Sequence, residues 1–412
     1  MHLHALRFTV FLVAVSLSLA CARTETAPRA AQPAAAPAGT LVTPLNDRDY
    51  APGVLALLEG ANHSVRLSLY QARYYPDYPG SESNRMIEAV ADAARRGVEV
   101  TAVFDTSPWR PSHDEENQRV ATMLAEAGAT VYIGPPDVQS HQKLLIVDRD
   151  IIVLTSANWS HFSLNHNDEV GAILWGPEVG RHYSQYFAAR VAEAEPWIPE
   201  GTSPAPLAGW AGPEDFGFPS YEVRRVRFLD NQQYFPKMRE AIRDARESVL
   251  LVKNYAYYYG EIHPRSRQVD GRPADKLPET DLLLYELADA VERGVEVRAI
   301  FDHQDTPDFR KPWANRTRAF AERLLEAGAE VYKDDPVVQI HAKALIIDGE
   351  EVLIGSTNWS FEGIAMNNEA SVLIHDPQLT AEVYVPWAEA IFESGEPYIP
   401  DTPEPAETNG ED

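Results

Sequence analysis

The sequence predicts an α/β protein made of two copies of one domain. The main observation is a repeat: residues 91–105 (ADAARRGVEVTAVFD) and residues 288–302 (ADAVERGVEVRAIFD) match closely. In each copy an amphipathic helix ends near a glycine, and an apolar strand follows and stops at an aspartate. Alternation of helices with near-continuous apolar strands predicts sheets covered by helices on both faces. A chain of 412 residues is long enough for two such domains.

Two further repeats flank this one. Upstream, residues 64–75 and residues 248–259 are strand-like runs that end in tyrosines. Downstream, HQKLLIVDRDIIVLTSANWS begins at His141 and HAKALIIDGEEVLIGSTNWS begins 200 residues later at His341. A segment rich in proline and glycine separates the copies. These observations predict the following organisation: a first domain over 41–198, a linker over 199–220, a second domain over 221–400 and a polar, frayed tail over 401–412.

The beginning of the sequence is typical of an export signal. In residues 1–20, Arg7 precedes an apolar run that is too short for a comfortable membrane span. Cys21, the only cysteine, follows directly, so no disulfide can form within the chain. It resembles the acylated cysteine of a bacterial lipoprotein, although Ser18 stands where that pattern usually has leucine. We expect an exported protein, either lipid-anchored in the cell envelope or secreted, with residues 21–40 as an Ala/Pro-rich tether.

Composition narrows the partners. The chain has 62 acidic and 36 basic residues, for a formal net charge of −26. Such a surface repels nucleic acid and anionic lipid unless a local basic site overrides it. Net charge therefore disfavours nucleic acid as a partner without excluding it.

The downstream repeat carries the candidate chemistry. A histidine and a lysine two residues apart on a strand point to the same face, which predicts a small cationic site at an exposed strand end. Polar residues recur at identical spacing while the residues between them differ, as expected for a functional set. The two sets are His141, Lys143, Asp148, Ser156 and Asn158, and His341, Lys343, Asp348, Ser356 and Asn358.

This pattern resembles the signature of the phospholipase D superfamily, in which His-x-Lys, four residues, Asp, six residues and Gly-Ser-x-Asn occur twice. The first copy departs from it, because Thr155 replaces the glycine. Glu169 and Glu369 each fall 28 residues after the histidine of their own repeat. The resemblance implies that a carboxylate at this place hydrogen-bonds the histidine and fixes its tautomer, as an imidazole nucleophile requires.

The resemblance also implies an architecture and a mechanism. The two phospholipase D-like α/β sandwich domains pack about a pseudo-twofold axis, so both histidines line one active site. His141 attacks phosphorus and forms a phosphohistidine, while His341 protonates the leaving alcohol and then deprotonates water. The motif lysines and asparagines hold the phosphate oxygens, and Asp148 and Asp348 organise strands and turns. We expect no cofactor and no metal, since the lysines and histidines supply the charge.

Two other patterns have ordinary explanations. Residues 301–305 (FDHQD) suggest a metal ligand set, but no second cluster completes it, so we interpret them as a strand-end loop. The tyrosines at 74, 75, 78 and 257–259 follow strands that end near the expected cleft. They either line the cleft for lipid or base contacts or pack in the core, and the sequence leaves both open.

The sequence determines the substrate less well than the type of reaction, because proteins of one fold have many functions. We expect a phosphodiesterase that hydrolyses phospholipids and also transfers phosphatidyl groups, since export places the enzyme beside phospholipid. The main alternative is a secreted endonuclease, which needs a basic stripe along the cleft; HPRSRQVDGR (263–272) is the candidate segment. A cardiolipin synthase-like phosphatidyltransferase and a non-catalytic phosphate-binding module are less favoured.

Overall fold

The computed structural model describes five stretches of the chain: residues 40–106, 110–198, 219–260, 278–302 and 311–400. The predicted export signal, Cys21, most of the tether and of the linker, and the tail lie outside the described residues. So do the basic segment 263–272 and all but the first two residues of 301–305. Within the described part, no helix has the length and apolar character needed to cross a bilayer.

The described residues of the first half form eight strands and five helices. The strands are β1 (Thr40–Pro44), β2 (Ser64–Leu69), β3 (Glu99–Phe104), β4 (Thr130–Ile133), β5 (Lys143–Val147), β6 (Ile151–Thr155), β7 (Gly171–Trp175) and β8 (Glu195–Trp197). The helices are α1 (Tyr50–Gly60), α2 (Glu82–Arg95), α3 (Pro111–Glu126), α4 (His161–Asn165) and α5 (Pro177–Glu193). A short 3-10 turn over Asp47–Asp49 precedes α1.

The second half repeats this order with local changes. Its strands are β9 (Tyr221–Val223), β10 (Arg225–Phe228), β11 (Ser248–Lys253), β12 (Glu296–Phe301), β13 (Glu330–Lys333), β14 (Lys343–Ile347), β15 (Glu351–Gly355), β16 (Ser371–His375) and β17 (Glu396–Pro397). Its α-helices are α6 (Tyr234–Asp244), α7 (Glu279–Glu292), α8 (Lys311–Glu326), α9 (Pro377–Leu379) and α10 (Val385–Ser394). A 3-10 turn covers Asn231–Gln233, and π-helical turns cover Glu362–Met366 and Thr380–Tyr384.

The strands form two mixed sheets with matching topology. The first sheet has the order β8-β4-β3-β2-β5-β6-β7-β1-β9, and the second has the order β10-β16-β15-β14-β11-β12-β13-β17. In each sheet three strands are parallel, and the strand that begins with the motif lysine pairs antiparallel with the first of them. The predicted fold, two repeated α/β domains, is confirmed.

Two strands fall at the predicted domain edges. β1 begins at Thr40, the last residue of the predicted tether. β9, which follows the predicted linker, pairs with β1 and so belongs to the first sheet. The first domain therefore takes its last strand from the beginning of the second repeat.

The helices cover the outer face of each sheet because their apolar residues recur on one side. In α2 the buried residues include Met86, Ile87, Val90 and Ala94, spaced three and four apart. The hydroxyl of Ser81 caps this helix by accepting a hydrogen bond from the backbone of Asn84 at 3.2 Å. One apolar cluster lies under the helices of each half.

A third apolar cluster belongs to both halves. It combines inward-facing residues of the two sheets with residues of α5 and α10. Hydrogen bonds also cross between the halves: Tyr183 on α5 donates its hydroxyl hydrogen to the carbonyl of Ser371 (3.2 Å), and Tyr384, which ends the π-helical turn before α10, donates to that of Gly171 (3.4 Å). The halves thus share one core.

The motif aspartates accept backbone hydrogen bonds where the first parallel strand of each sheet begins. Asp148 follows β5 and accepts backbone hydrogen bonds from the three residues that lead into β2: Asn62 (3.1 Å), His63 (2.7 Å) and Ser64 (3.0 Å). Asp348 makes the same contacts before β11, with Arg246 (3.0 Å), Glu247 (2.8 Å) and Ser248 (3.0 Å). Both aspartates have positive φ, at 48° and 52°.

We predict that Asp148→Ala lowers the free energy of unfolding by about 2–3 kcal/mol, because three backbone donors lose a charged acceptor. Asp148→Asn should cost less, since asparagine keeps one acceptor oxygen and tolerates positive φ. Urea unfolding followed by circular dichroism measures both. Asp150→Asn, an exposed change in the same turn, is the control. Equal stability of Asp148→Ala and wild type would contradict the structural role.

Candidate active site

The candidate active-site cleft forms where two segments of each half meet. The backbone N–H of His141 donates to the carbonyl of Asn368, and that of His341 donates to the carbonyl of Asp168, both at 2.9 Å. Residues of both halves line a cleft of about 1200 Å³ that contains both histidines. Both motif histidines therefore line one cleft between the two halves.

Each histidine faces the glutamate of the other half. Nδ1 of His141 lies 3.0 Å from Oε1 of Glu369, and Nδ1 of His341 lies 2.9 Å from Oε1 of Glu169. The sequence spacing associated each glutamate with the histidine of its own repeat, and the structure corrects this by exchanging the partners. Since the carboxylate accepts from Nδ1–H, each neutral imidazole keeps its lone pair on Nε2.

The motif serines hold the glutamates in place. Ser156 donates its hydroxyl to Oε2 of Glu169 at 2.5 Å, and Ser356 donates to Oε2 of Glu369. Ser163 also donates to Glu169. Of the two predicted roles for Ser156 and Ser356, phosphate binding or motif support, the geometry fits support.

The motif lysines lie beneath the histidines and not on an exposed strand end. Lys143 is 2% exposed and Lys343 is fully buried, which corrects the sequence expectation. Each Nζ donates to the backbone carbonyl of the histidine two residues earlier, at 2.6 Å for Lys143 and 2.5 Å for Lys343. The Nζ atom of Lys143 also lies 4.9 Å from the centre of the Tyr70 ring.

Burial lowers the pKa of the basic groups. Burial lowers the pKa of Lys143 to about 7, where Glu369 opposes the shift and Lys343 adds to it. Burial lowers the pKa of Lys343 to about 8. Burial likewise lowers the pKa of His141 to about 4, and it lowers the pKa of His341. Both imidazoles are therefore neutral in the free enzyme near pH 7.

The motif asparagines line the same cleft. Asn158 and Asn358 follow β6 and β15, and both contribute to the cleft wall. Their carboxamide oxygens are buried without a hydrogen-bond partner among the described residues. Buried polar atoms are normally satisfied, so each unpaired carboxamide oxygen marks a place for a hydrogen-bond donor in the cleft.

The departure from the motif at Thr155 is compensated across the sheet. Thr155 pairs with Gly171, whereas its counterpart Gly355 pairs with Ser371. A Cβ on Gly355 would lie 2.2 Å from Oγ of Ser371, and one on Gly171 would lie 3.1 Å from Oγ1 of Thr155. Each half thus pairs one glycine with one hydroxyl residue, in opposite order, and the loop keeps its shape.

The cleft wall contains residues that the sequence analysis did not single out. Tyr70, Tyr255 and Arg110 line it, and the ring of Tyr70 lies 4.7 Å from that of His141. Tyr70 and Tyr255 follow the first parallel strand of their sheets. Their position at the end of that strand could have indicated that they line the cleft. Arg110 precedes α3, and nothing in its sequence context indicated the cleft.

The tyrosines that the sequence left open do not share one role: Tyr78, for example, is 55% exposed. Tyr257 lines the cleft. Tyr75 and Tyr259 accept backbone hydrogen bonds from His161 (3.0 Å) and Phe361 (2.9 Å) and so support the loops around it.

Asp302 directly follows β12 and lines the cleft. Burial raises the pKa of Asp302 well above its usual range, and the neighbouring Asp334 adds to the shift. Within the described residues, no group of three or more histidine, cysteine and acidic side chains could hold a metal ion.

The repeated sheets and the paired His–Lys–Asn sets define a two-repeat site for phosphodiester chemistry, the kind found in the phospholipase D superfamily. A model of the family described as "Cardiolipin synthase, PLD-like domain" matches residues 54–191 and 275–389, more than half of the sequence. The chain belongs to this family.

Known proteins with this architecture differ in the reactions their names state. Cardiolipin synthase A of Salmonella paratyphi B is 23% identical over 333 residues, which cover 78% of this chain and 63% of that protein. Phosphatidylserine synthase of Haemophilus influenzae has a TM-score of 0.62 at 11% identity and covers 87% of both chains. Polyphosphate kinase of Porphyromonas gingivalis has a TM-score of 0.52 at 15% identity, covering 84% of this chain and 49% of that one. The two structures share the fold.

The exchanged pairs make a specific prediction for nuclear magnetic resonance of ¹⁵N-histidine. Glu369→Gln removes the charge beside Nδ1 of His141, so at pH 7 the ring nitrogen shifts of His141 should change while those of His341 stay. Glu169→Gln is the matched control and should affect His341 alone. Changes confined to the histidine of the same repeat would contradict the exchange.

Proposed function

We propose that the protein is a phosphatidyl-transferring phosphodiesterase that uses phospholipid as donor and passes the phosphatidyl group to an alcohol or to water. The sequence analysis put hydrolysis first. The names of the relatives, cardiolipin synthase and phosphatidylserine synthase, favour an alcohol as acceptor. Hydrolysis is then the same reaction with water as acceptor.

The observation that carries the proposal is the pair of neutral histidines in one cleft, each oriented by a buried glutamate. Displacement at phosphorus needs a nucleophile on one side and a proton donor for the leaving oxygen on the other. Two histidines with Nε2 unbonded to the glutamates supply both groups in one site.

In the first step, Nε2 of His141 attacks phosphorus and the bond from phosphorus to the headgroup oxygen breaks. The departing oxygen takes the proton from Nε2 of His341, and a phosphohistidine remains. The phosphate anion raises the basicity of His341 when it enters, because an opposite charge nearby favours the imidazolium. Lys143, Lys343 and the two motif asparagines hold the non-bridging oxygens as charge develops.

In the second step, His341 accepts the proton of the incoming hydroxyl group. The oxygen of that group attacks phosphorus, the bond between phosphorus and nitrogen breaks, and His141 is free again. Because the intermediate waits for whichever acceptor enters, the same enzyme transfers to alcohols and hydrolyses.

The cleft wall supports a lipid donor. Phe162 and Met366 line the cleft and are 69% and 36% exposed. Tyr255 and Tyr257 stack with ring centres 4.6 Å apart on the same wall. Aromatic and apolar side chains of this kind suit the region where a headgroup meets an acyl chain.

A second candidate, cleavage of nucleic acid, has one observation in its favour. Arg110, Arg316 and Lys333 line the cleft in a chain whose overall charge is strongly negative. Cations along a cleft can hold successive phosphates of a single strand.

The pKa shifts predict how kcat/KM depends on pH with bis(p-nitrophenyl) phosphate, whose leaving group needs little protonation. The rate should rise as His141 loses its proton near pH 4 and fall as Lys143 loses its proton near pH 7. In Lys143→Arg the cation persists, so the alkaline limb should move toward pH 8, where Lys343 titrates. An alkaline limb that is the same in both enzymes would exclude Lys143 as its source.

A substrate panel tests the proposed function. Phosphatidylcholine in the presence of ethanol should yield a phosphatidylalcohol, whereas single- and double-stranded DNA should remain intact.

His141→Ala should abolish turnover and the trapped phosphoenzyme, while His341→Asn given the activated diester should accumulate phosphohistidine at position 141, detected by mass spectrometry after an alkaline quench. Cleavage of DNA with no lipid turnover would favour the second candidate.

A further inference from the structure

The cleft wall beside His341 differs from the wall beside His141, although both are built on the same backbone. The N–H of Tyr70 and the N–H of Asn254 each donate, at 3.1 Å, to the carbonyl of the residue that follows the motif histidine of their own half. Tyr70 and Asn254 therefore occupy matching places. The ring of Tyr70 lies 4.7 Å from the ring of His141. A carboxamide is shorter than a phenol ring, so the matching place beside His341 leaves room for a ligand.

The carboxamide of Asn254 has a fixed orientation. Its Nδ2 donates to the carbonyl of Ile340 at 2.8 Å and to Oδ2 of Asp302 at 3.3 Å. Both partners accept hydrogen bonds, so the nitrogen must face them and the oxygen must face the other way. Asn254 is 9% exposed and lines the cleft, and no hydrogen bond within the described residues reaches its oxygen. This acceptor is therefore left for a donor that enters the cleft.

Gln339, two residues before His341, presents a second acceptor. Its Nε2 donates to the same oxygen of Asp302 at 3.3 Å, so its Oε1 is the free end of the carboxamide. Gln339 also lines the cleft, and its Oε1 accepts no hydrogen bond from the described residues. The matching Gln139 differs, because its Oε1 accepts from Asn367 at 3.2 Å. The two free acceptors thus belong to the His341 side. We call Asn254 and Gln339 the alcohol subsite.

Asp302 aligns both carboxamides and is itself held from behind. Its side chain bonds to that of Asp334, which two carboxyl groups can do only when they share a proton. Asp334 also accepts, at 3.1 Å, the N–H of the residue before the motif histidine. In the first half Gly134 stands in the place of Asp334, and Asp105 accepts the matching N–H at 2.6 Å. Asp302 thus has a second carboxyl group to hold it, which Gly134 cannot give to Asp105.

We propose that the alcohol subsite binds the alcohol that leaves or enters, and that it favours an alcohol with a second hydrogen-bond donor, a hydroxyl or an ammonium group. This inference rests on the proposed function and names its class of acceptor. His341 exchanges its proton with that alcohol, so the alcohol lies on the side where the two free oxygens are. Asn254 and Gln339 are specificity-determining residues, and Asp302 and Asp334 position them.

The subsite acts in the transfer step without taking part in bond making. The reacting hydroxyl gives its proton to Nε2 of His341, its oxygen bonds to phosphorus, and the bond between phosphorus and His141 breaks. The second donor of the same alcohol stays on the carboxamide oxygens of the subsite. An alcohol without a second donor leaves those oxygens unpaired, which costs binding free energy.

Competition between acceptors tests the inference in the full chain. Phosphatidylcholine vesicles receive 1-propanol, glycerol and ethanolamine at equal concentration, and mass spectrometry measures the phosphatidyl products. Per primary hydroxyl group, wild type should use glycerol, ethanolamine or both at least about threefold more than 1-propanol, as expected for one added hydrogen bond. Equal use of the three alcohols, or a preference for 1-propanol, would overturn the inference.

Two variants assign the preference to the subsite. Gln339→Met keeps the length of the side chain and loses the acceptor, and Asn254→Leu does the same at the other position. Each should lower the preference over 1-propanol at least about twofold. Gln339→Met keeps the bond from Asn254 to Ile340, so it covers the case in which Asn254→Leu does not fold. An unchanged preference in Gln339→Met would overturn the inference.

Gln139→Met is the matched control, because the oxygen of Gln139 is already bonded to Asn367. It should keep the wild-type preference among the three alcohols. A loss as large as that in Gln339→Met would show that the preference does not come from the His341 side, and it would overturn the inference.

A second donor separates this inference from the choice of lipid. With bis(p-nitrophenyl) phosphate, the phosphoenzyme should divide among the three alcohols with the same preference. That preference without any turnover of phosphatidylcholine would support the subsite and contradict the lipid donor. Turnover of both donors with no preference would overturn the subsite and leave the proposed function standing. No turnover of either donor would overturn both.

Discussion

The rest of the site depends on backbone hydrogen bonds that join a segment of one half to a segment of the other. The segment before each motif histidine pairs with the segment before the opposite glutamate, through Ser140 with Asn368 and through Asp168 with Ile340. Neither motif histidine faces the glutamate of its own half. The shared apolar core under α5 and α10 fixes this exchange. A change that disrupts the interface between the halves therefore also disrupts the site.

Burial of the basic groups is the second physical feature of the site. Removing an ammonium group from water costs several kcal/mol, and this cost lowers the pKa of a buried lysine. Lys143 and Lys343 offset part of this cost through the histidine carbonyls and the two glutamates. Because burial brings the pKa values of Lys143 and Lys343 close to 7 and 8, an incoming phosphate diester provides the counter-charge that keeps both lysines protonated. Binding and activation are thereby coupled.

Much of the fold and most of the candidate residues could be predicted from the sequence, because the motif is local and occurs twice. A histidine, a lysine and an asparagine at fixed spacing can be recognised in the sequence alone, and so can the alternation of helices and strands. The exchanged glutamates could not be predicted, since spacing within a repeat is the same whichever histidine each one meets. Burial of Lys143 depends on the other half covering the strand end. Arg110 enters the cleft only through the path of the chain before α3.

The π-helical turn over Thr380–Tyr384 shows how the two copies stayed in register. From the motif histidines up to this turn, matching residues lie 200 positions apart, as with Pro177 and Pro377; after it they lie 201 apart, as with Glu195 and Glu396. One residue has thus been inserted, and the wide turn absorbs it without moving either end. The chain can therefore gain or lose a residue at this turn, while Tyr384 keeps its hydrogen bond to the other half and the last strand keeps its place in the sheet.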